Sequence, residues 1–122
     1  MTITDAEMRI MQTLWASSPL TAADIATAVG EETGWRAGTI KALLNRMLNK
    51  GVVSARKDGR RYLYSPAVKR KDCLIRATSE FLDRWFDGHL TPFVAHLSHA
   101  RQLERREIEE LRKLIEEIED DD

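Results

Sequence analysis

Between Arg36 and Lys71 the chain carries eleven Lys or Arg residues against one acid, Asp58, for a net of +10. These residue types suit the holding of a polyanion and not the making or breaking of bonds. Lys and Arg hold phosphates, and Thr, Asn and Arg can hydrogen-bond base edges. Wound into a helix at roughly 100° per residue, Gly38, Ala42, Asn45 and Asn49 share one face. Thr39 and Arg46 lie on one flank of it and Lys41 on the other. The centre of this face is small, which lets a backbone approach another surface, and its margins are polar or cationic. Farther on, Arg56, Lys57, Arg60 and Arg61 crowd a short turn and would repel one another without an anion between them. A solvated face would account for any one of these cations, but not for the whole run. The candidate contacts to double-stranded DNA are Arg36, Thr39, Lys41, Ala42, Asn45 and Arg46 on the helix, with Lys57, Arg60 and Arg61 on the turn.

The elements that must position these residues are legible in the pattern. Ile40, Leu43, Leu44 and Met47 recur at the i, i+3, i+4, i+7 spacing of one buried helical stripe. Gly51 after Lys50 predicts a left-handed cap behind a cationic last turn. Two strand-like runs follow around Asp58-Gly59, a type I′ turn signal, with Val53 and Ala55 on one side and Tyr62 and Tyr64 packing on the core. Upstream, Thr4 and Glu7 predict a capping box, Ile3 and Met8 a hydrophobic staple, and Met8, Ile10, Met11, Leu14 and Trp15 the inner side of a first helix ending at Ser17-Ser18-Pro19. A second, alanine-rich helix begins after Thr21, with Asp24 at its third position. It is expected to stop at Gly30, leaving Glu31–Gly34 as an acidic loop. A short helix, a turn, a cationic amphipathic helix and a cationic hairpin are the sequence form of a winged helix-turn-helix.

The remainder reads differently. Residues 1–71 hold twelve Lys or Arg and six acids, net +6, whereas residues 72–122 hold seven and fourteen, net −7. A basic front and an acidic back have different tasks. We expect a DNA-binding domain over 1–68 and a helical dimerisation domain over 69–122, the whole being mostly α with a small β-hairpin wing. The second domain holds a long helix over 67–87 ended by Gly88, a short helix begun at Thr91-Pro92, and a last helix from about Glu104 to Glu119. Their apolar faces (Leu74, Phe81, Leu82, Trp85 and Phe86, then Ile108, Leu111, Ile115 and Ile118) exceed what fifty residues can bury alone, and a homodimer is the simplest cover.

Other classes find no support. The single cysteine, Cys73, rules out an internal disulfide framework and fits a reducing cytosol. The N-terminus does not read as a signal peptide, and no apolar stretch reaches the ~20 residues of a membrane span, so a cytoplasmic protein with no membrane partner is expected. His96 and His99 stand i, i+3 but lack the further ligands that a metal site needs. No catalytic motif or cofactor loop is present, so neither an enzyme nor a cofactor is expected. The alternative to DNA binding is a winged-helix module for an acidic protein partner. It is disfavoured because the outward helix face offers no aromatic or aliphatic anchor.

Taken in order, I-T-x-A-E-x-x-I-M-x-x-L-W (Ile3 to Trp15), Trp35, T-I-K-x-L-L-N-R-M-x-x-K-G (Thr39 to Gly51), G-R-R-Y-x-Y-x-P (Gly59 to Pro66) and I-E-E-L-R-K-L-I (Ile108 to Ile115) resemble the penicillinase-repressor family of transcriptional regulators (BlaI/MecI/CopY type). The resemblance implies a bacterial repressor, an N-terminal winged helix, a helical dimerisation domain and palindromic operators. It implies that Thr39, Lys41, Asn45 and Arg46 lie in or beside the major groove, with Arg60 and Arg61 on the wing. Three departures stand out. Arg36 and Gly38 occupy positions where the family usually has Ser or Thr and often Lys. His96-Leu97 stands at the Asn-Phe bond that an upstream sensor protease route cleaves in the resistance repressors. The cysteine-rich tail of the copper-responsive branch has no counterpart.

Overall fold

The computed structural model describes residues 2–100 and 103–121. The elements run α1 (Asp5–Ala16), β1 (Leu20–Thr21), α2 (Ala22–Thr33), α3 (Ala37–Lys50), β2 (Val53–Asp58), β3 (Arg61–Pro66), α4 (Arg70–Phe86), α5 (Leu90–Ala100) and α6 (Arg105–Asp120). The chain forms two compact units, residues 1–77 and 78–122, and the division falls inside α4.

In the first unit three helices pack around one core. Ile10, Met11 and Leu14 from α1 meet Ile25 and Val29 from α2 and Ile40, Leu43, Leu44 and Met47 from α3. Val52 and Val53 close the bottom. The capping box expected at α1 forms, and α2 has one as well. The Thr4 hydroxyl accepts from the Glu7 amide at 3.2 Å while the Thr4 amide donates to Glu7 Oε1 at 2.9 Å. Thr21 and Asp24 repeat the exchange at the head of α2. Each satisfies donors that a helix start leaves open. At the tail of α3, Gly51 takes φ +77°, its amide donates to Leu48 O, and the Val52 amide reaches back to Met47 O at 3.1 Å. This Schellman arrangement turns the chain straight into β2.

Several expectations need correction. Helix α2 does not stop at Gly30 but continues to Thr33, with Gly34 at φ +77° as its cap. Gly30 serves packing instead: a Cβ there would lie 3.3 Å from the Trp35 carbonyl oxygen, so the missing side chain admits that backbone. The hairpin loop is Gly59-Arg60 and not Asp58-Gly59, because Asp58 already pairs with Arg61 across the ladder. Gly59 has φ +65° and Arg60 does not share a positive φ, the pattern of a II′ turn with glycine first. Tyr62 is half exposed, and only Tyr64 of the two tyrosines packs against the core. Ala55 is exposed as well. The two-residue strand β1 went unforeseen. It pairs antiparallel with β3, Leu20 opposite Tyr64 and Thr21 opposite Leu63, giving the order β1-β3-β2. Helix α4 begins at Arg70, three residues later than expected from the sequence. The Trp15 indole Nε1 donates to Val68 O at 3.0 Å and ties the end of the hairpin to α1.

In the second unit Phe81, Phe86 and Phe93 form a triangle of rings with centroids 5.4–6.0 Å apart, a spacing favourable for edge contacts. Large apolar side chains nonetheless stay open: Trp85 is 66% exposed, Ile115 54% and Ile118 57%. None of the described helices is long and apolar enough to cross a membrane.

Candidate nucleic-acid interface

Helix α3 presents two faces. Ile40, Leu43, Leu44 and Met47 are buried, and this anchoring fixes the rotation of the helix about its axis. The residues at issue for DNA therefore lie on its exposed side. Arg36, Thr39, Lys41, Ala42, Asn45 and Arg46 are all exposed, as are Gly38 and Asn49. Arg36 stands at the N-cap with extended backbone and gives no side-chain cap, so its guanidinium is not spent on the helix start. A Cβ at Gly38 would meet nothing within 4 Å, so no protein neighbour demands a glycine there.

The hairpin carries its cations on exposed positions. Arg56, Lys57, Arg60 and Arg61 are all open to solvent around the Gly59-Arg60 loop. Arg61 shares its charge with Asp58, Nη2 lying 3.2 Å from Oδ2. That pair is exposed and adds little to stability. It does set the direction of one guanidinium at the tip.

One residue at this site was missed from the sequence. Glu7 is fully buried, yet it is charged. Its Oε1 accepts from Lys50 Nζ at 2.6 Å and its Oε2 from Arg46 Nε at 3.2 Å. Lys50 also donates to the Thr2 carbonyl at 2.9 Å. Burial alone would raise the Glu7 carboxyl. The bonds from Lys50, from the Thr4 amide and hydroxyl, and from Arg46 outweigh it and hold the group down at about 2. A signal was available. Glu7, Ile10, Met11 and Leu14 share the i, i+3, i+4, i+7 stripe of α1, so a carboxylate sits where a core residue belongs and needs a cation from elsewhere.

The residues expected to dimerise lie on α4 and α6. Leu74, Phe81 and Trp85 are exposed, Leu82 and Phe86 half-buried, and Ile108, Leu111, Ile115 and Ile118 exposed along one side of α6. His96 and Leu97 fall inside α5.

Comparisons with known proteins bear on this geometry. Residues 3–117 match the profile of the family described as Penicillinase repressor. The penicillinase repressor of Bacillus licheniformis is 30% identical over 115 residues, covering 94% of this chain and 90% of its own. A solution structure of monomeric B. licheniformis BlaI in complex with the blaP half-operator is 28% identical, with TM-score 0.53 over 59% of this chain and 88% of that one. MepR, a transcription regulator of the Staphylococcus aureus multidrug efflux pump MepA, shares the fold at 20% identity and TM-score 0.53, covering 98% of this chain and 79% of its own.

Proposed function

This chain belongs to the penicillinase repressor family, and from that premise we propose how it acts as a DNA-binding transcriptional repressor. Helix α3 enters the major groove with Thr39, Lys41, Ala42, Asn45 and Arg46 facing base edges and neighbouring phosphates, and Arg36 at its start takes a backbone phosphate. The hairpin lies along the backbone with Lys57, Arg60 and Arg61. Residues 1–68 serve DNA and residues 69–122 serve dimerisation, so that two copies meet a two-fold operator and block the promoter it overlaps. Such a repressor works in the cytoplasm, where its DNA is.

The observation that carries the reading is the division of α3. One stripe is sealed in the core and the opposite face is wholly exposed, small at its centre and cationic at its edges. A helix held this way can lie in a groove with its backbone close to the bases. The dimer rests on the apolar side chains that α4 and α6 leave open, including Trp85 and Ile115. Two-fold binding would double the contacts without new chemistry.

Capture of fragmented genomic DNA by the purified full chain tests this. The expected result is a short two-fold symmetric motif at a few promoters. Enrichment without a motif would reduce the protein to a basic, sequence-blind binder. No enrichment at moderate salt would remove DNA as the partner.

A further inference from the structure

We propose that Glu7 is a positioning residue for base readout: its buried carboxylate grips Arg46 by Nε and so turns the far edge of that guanidinium toward DNA. The inference rests on the reading of α3 as the DNA-contacting helix.

Glu7 lies on α1, behind the outward face of α3, and is shielded from solvent. It reaches across to α3 and takes one atom of Arg46, the Nε, at 3.2 Å. Among the described residues, the two terminal nitrogens of that guanidinium donate to no other protein group. The Arg46 side chain stays 52% exposed. Arginine is a long side chain with high rotamer freedom, and its planar fork reads a guanine edge or a phosphate through two parallel bonds only when the plane is correctly turned. Fixing Nε fixes that plane before DNA arrives, which lowers the ordering cost of contact.

The rest of the cluster fits this role. Glu7 Oε1 is already satisfied by Lys50 Nζ at 2.6 Å and by the Thr4 amide at 2.9 Å. The second oxygen is buried too and needs a donor of its own. It is given to a half-exposed arginine on the flank of the outward face. Two cations surround one carboxylate, so the cluster remains positive and the acid does not repel a phosphate.

The test selects binding sites from a randomised duplex library with the full-length wild type, Glu7→Gln, Arg46→Ala and Trp15→Phe. Gln keeps the size and the capping box while dropping the charge. Trp15→Phe loses a hydrogen bond in the same unit that involves neither Glu7 nor Arg46 and controls for lowered stability. Expected is a symmetric wild-type motif in which Glu7→Gln and Arg46→Ala lose preference, severalfold or more, at the same base positions, while Trp15→Phe keeps the motif whole. Retention of the complete motif by Glu7→Gln overturns the inference. Loss of the motif by Trp15→Phe as well would make the effect one of stability and also overturn it. Absence of a motif in the wild type would defeat the DNA reading itself, a different failure. Should Glu7→Gln not fold, Arg46→Lys decides. It keeps the charge but not the fork, so the same positions must lose preference, and an unaltered motif would refute the role of guanidinium orientation.

Discussion

Neutralising Glu7 should cost folding stability, and the cost should fade in acid. The folded carboxyl is held at about 2 against an ordinary value of 4.5. By linkage that difference is worth at most roughly 3 kcal/mol at neutral pH. The sign follows from the direction. A depressed carboxyl contributes its full share above the unfolded value, and the share drains away as pH falls from about 4.5 toward 2. By pH 3 about 2 kcal/mol of it should be gone. Arg46 is half exposed and can rehydrate when its partner is lost, so the measured cost of Glu7→Gln should fall below that ceiling, at about 1–2 kcal/mol. For a unit of this size that is a fall in Tm of roughly 4–15 °C. Denaturant unfolding of wild type and Glu7→Gln at pH 7, 5, 4 and 3 reads the gap directly. Other carboxylates titrate in both proteins and cancel in the difference. A gap that stays constant down to pH 3, or no gap at pH 7, would refute the reasoning, because either result means the buried carboxylate is not held ionised by its cations.

Three further outcomes follow from the same geometry. Arg60→Ala should reduce the salt dependence of DNA binding by about 0.9 log units per tenfold change in salt, one phosphate contact's worth. Arg61→Ala should weaken binding at low salt more than Arg60→Ala, because it also exposes Asp58 to the backbone; an unchanged salt slope in both would take the wing out of the interface. Gly38→Ala should raise stability by up to about 1 kcal/mol, since its Cβ meets no protein atom, while lowering operator affinity; thermal melts and operator titration check the two halves, and unchanged affinity would show that DNA does not come close at that position. Ile115→Glu, on the open side of α6, should convert a dimer to a monomer in sedimentation while the first unit keeps its melting transition; a monomeric wild type would refute the dimer.

Much of the architecture was legible because local rules and packing agree. The stripe Ile40, Leu43, Leu44 and Met47 could be satisfied only by a helix with that side inward, and every one of the four is buried. The Thr4–Glu7 and Thr21–Asp24 spacings specify helix starts through short-range hydrogen bonds that need no tertiary context. Misreadings arose where tertiary contact overrides a local signal. Gly30 reads as a stop by propensity, yet its missing side chain admits the Trp35 carbonyl and the helix runs on. Asp58-Gly59 reads as the centre of a turn, yet Asp58 is still in the ladder opposite Arg61, and the glycine comes first. Strand β1 has two residues and only its partner β3 defines it.

The candidate site divides in the same way. Its outward residues were legible from periodicity, because solvent exposure is the complement of a buried stripe. Their support was not. The sequence separation between Glu7 and Arg46 is 39 residues, and no periodicity links them. What links them is a rule of cost: a carboxylate in an apolar stripe must either be neutral or find cations. Glu7 finds two, and both come from the helix that faces outward. The reach of Glu7 to α3 places a buried charge beneath the helix with the exposed cationic face. Stability of the core and orientation of that face thereby depend on the same carboxylate, and a substitution at Glu7 should disturb both.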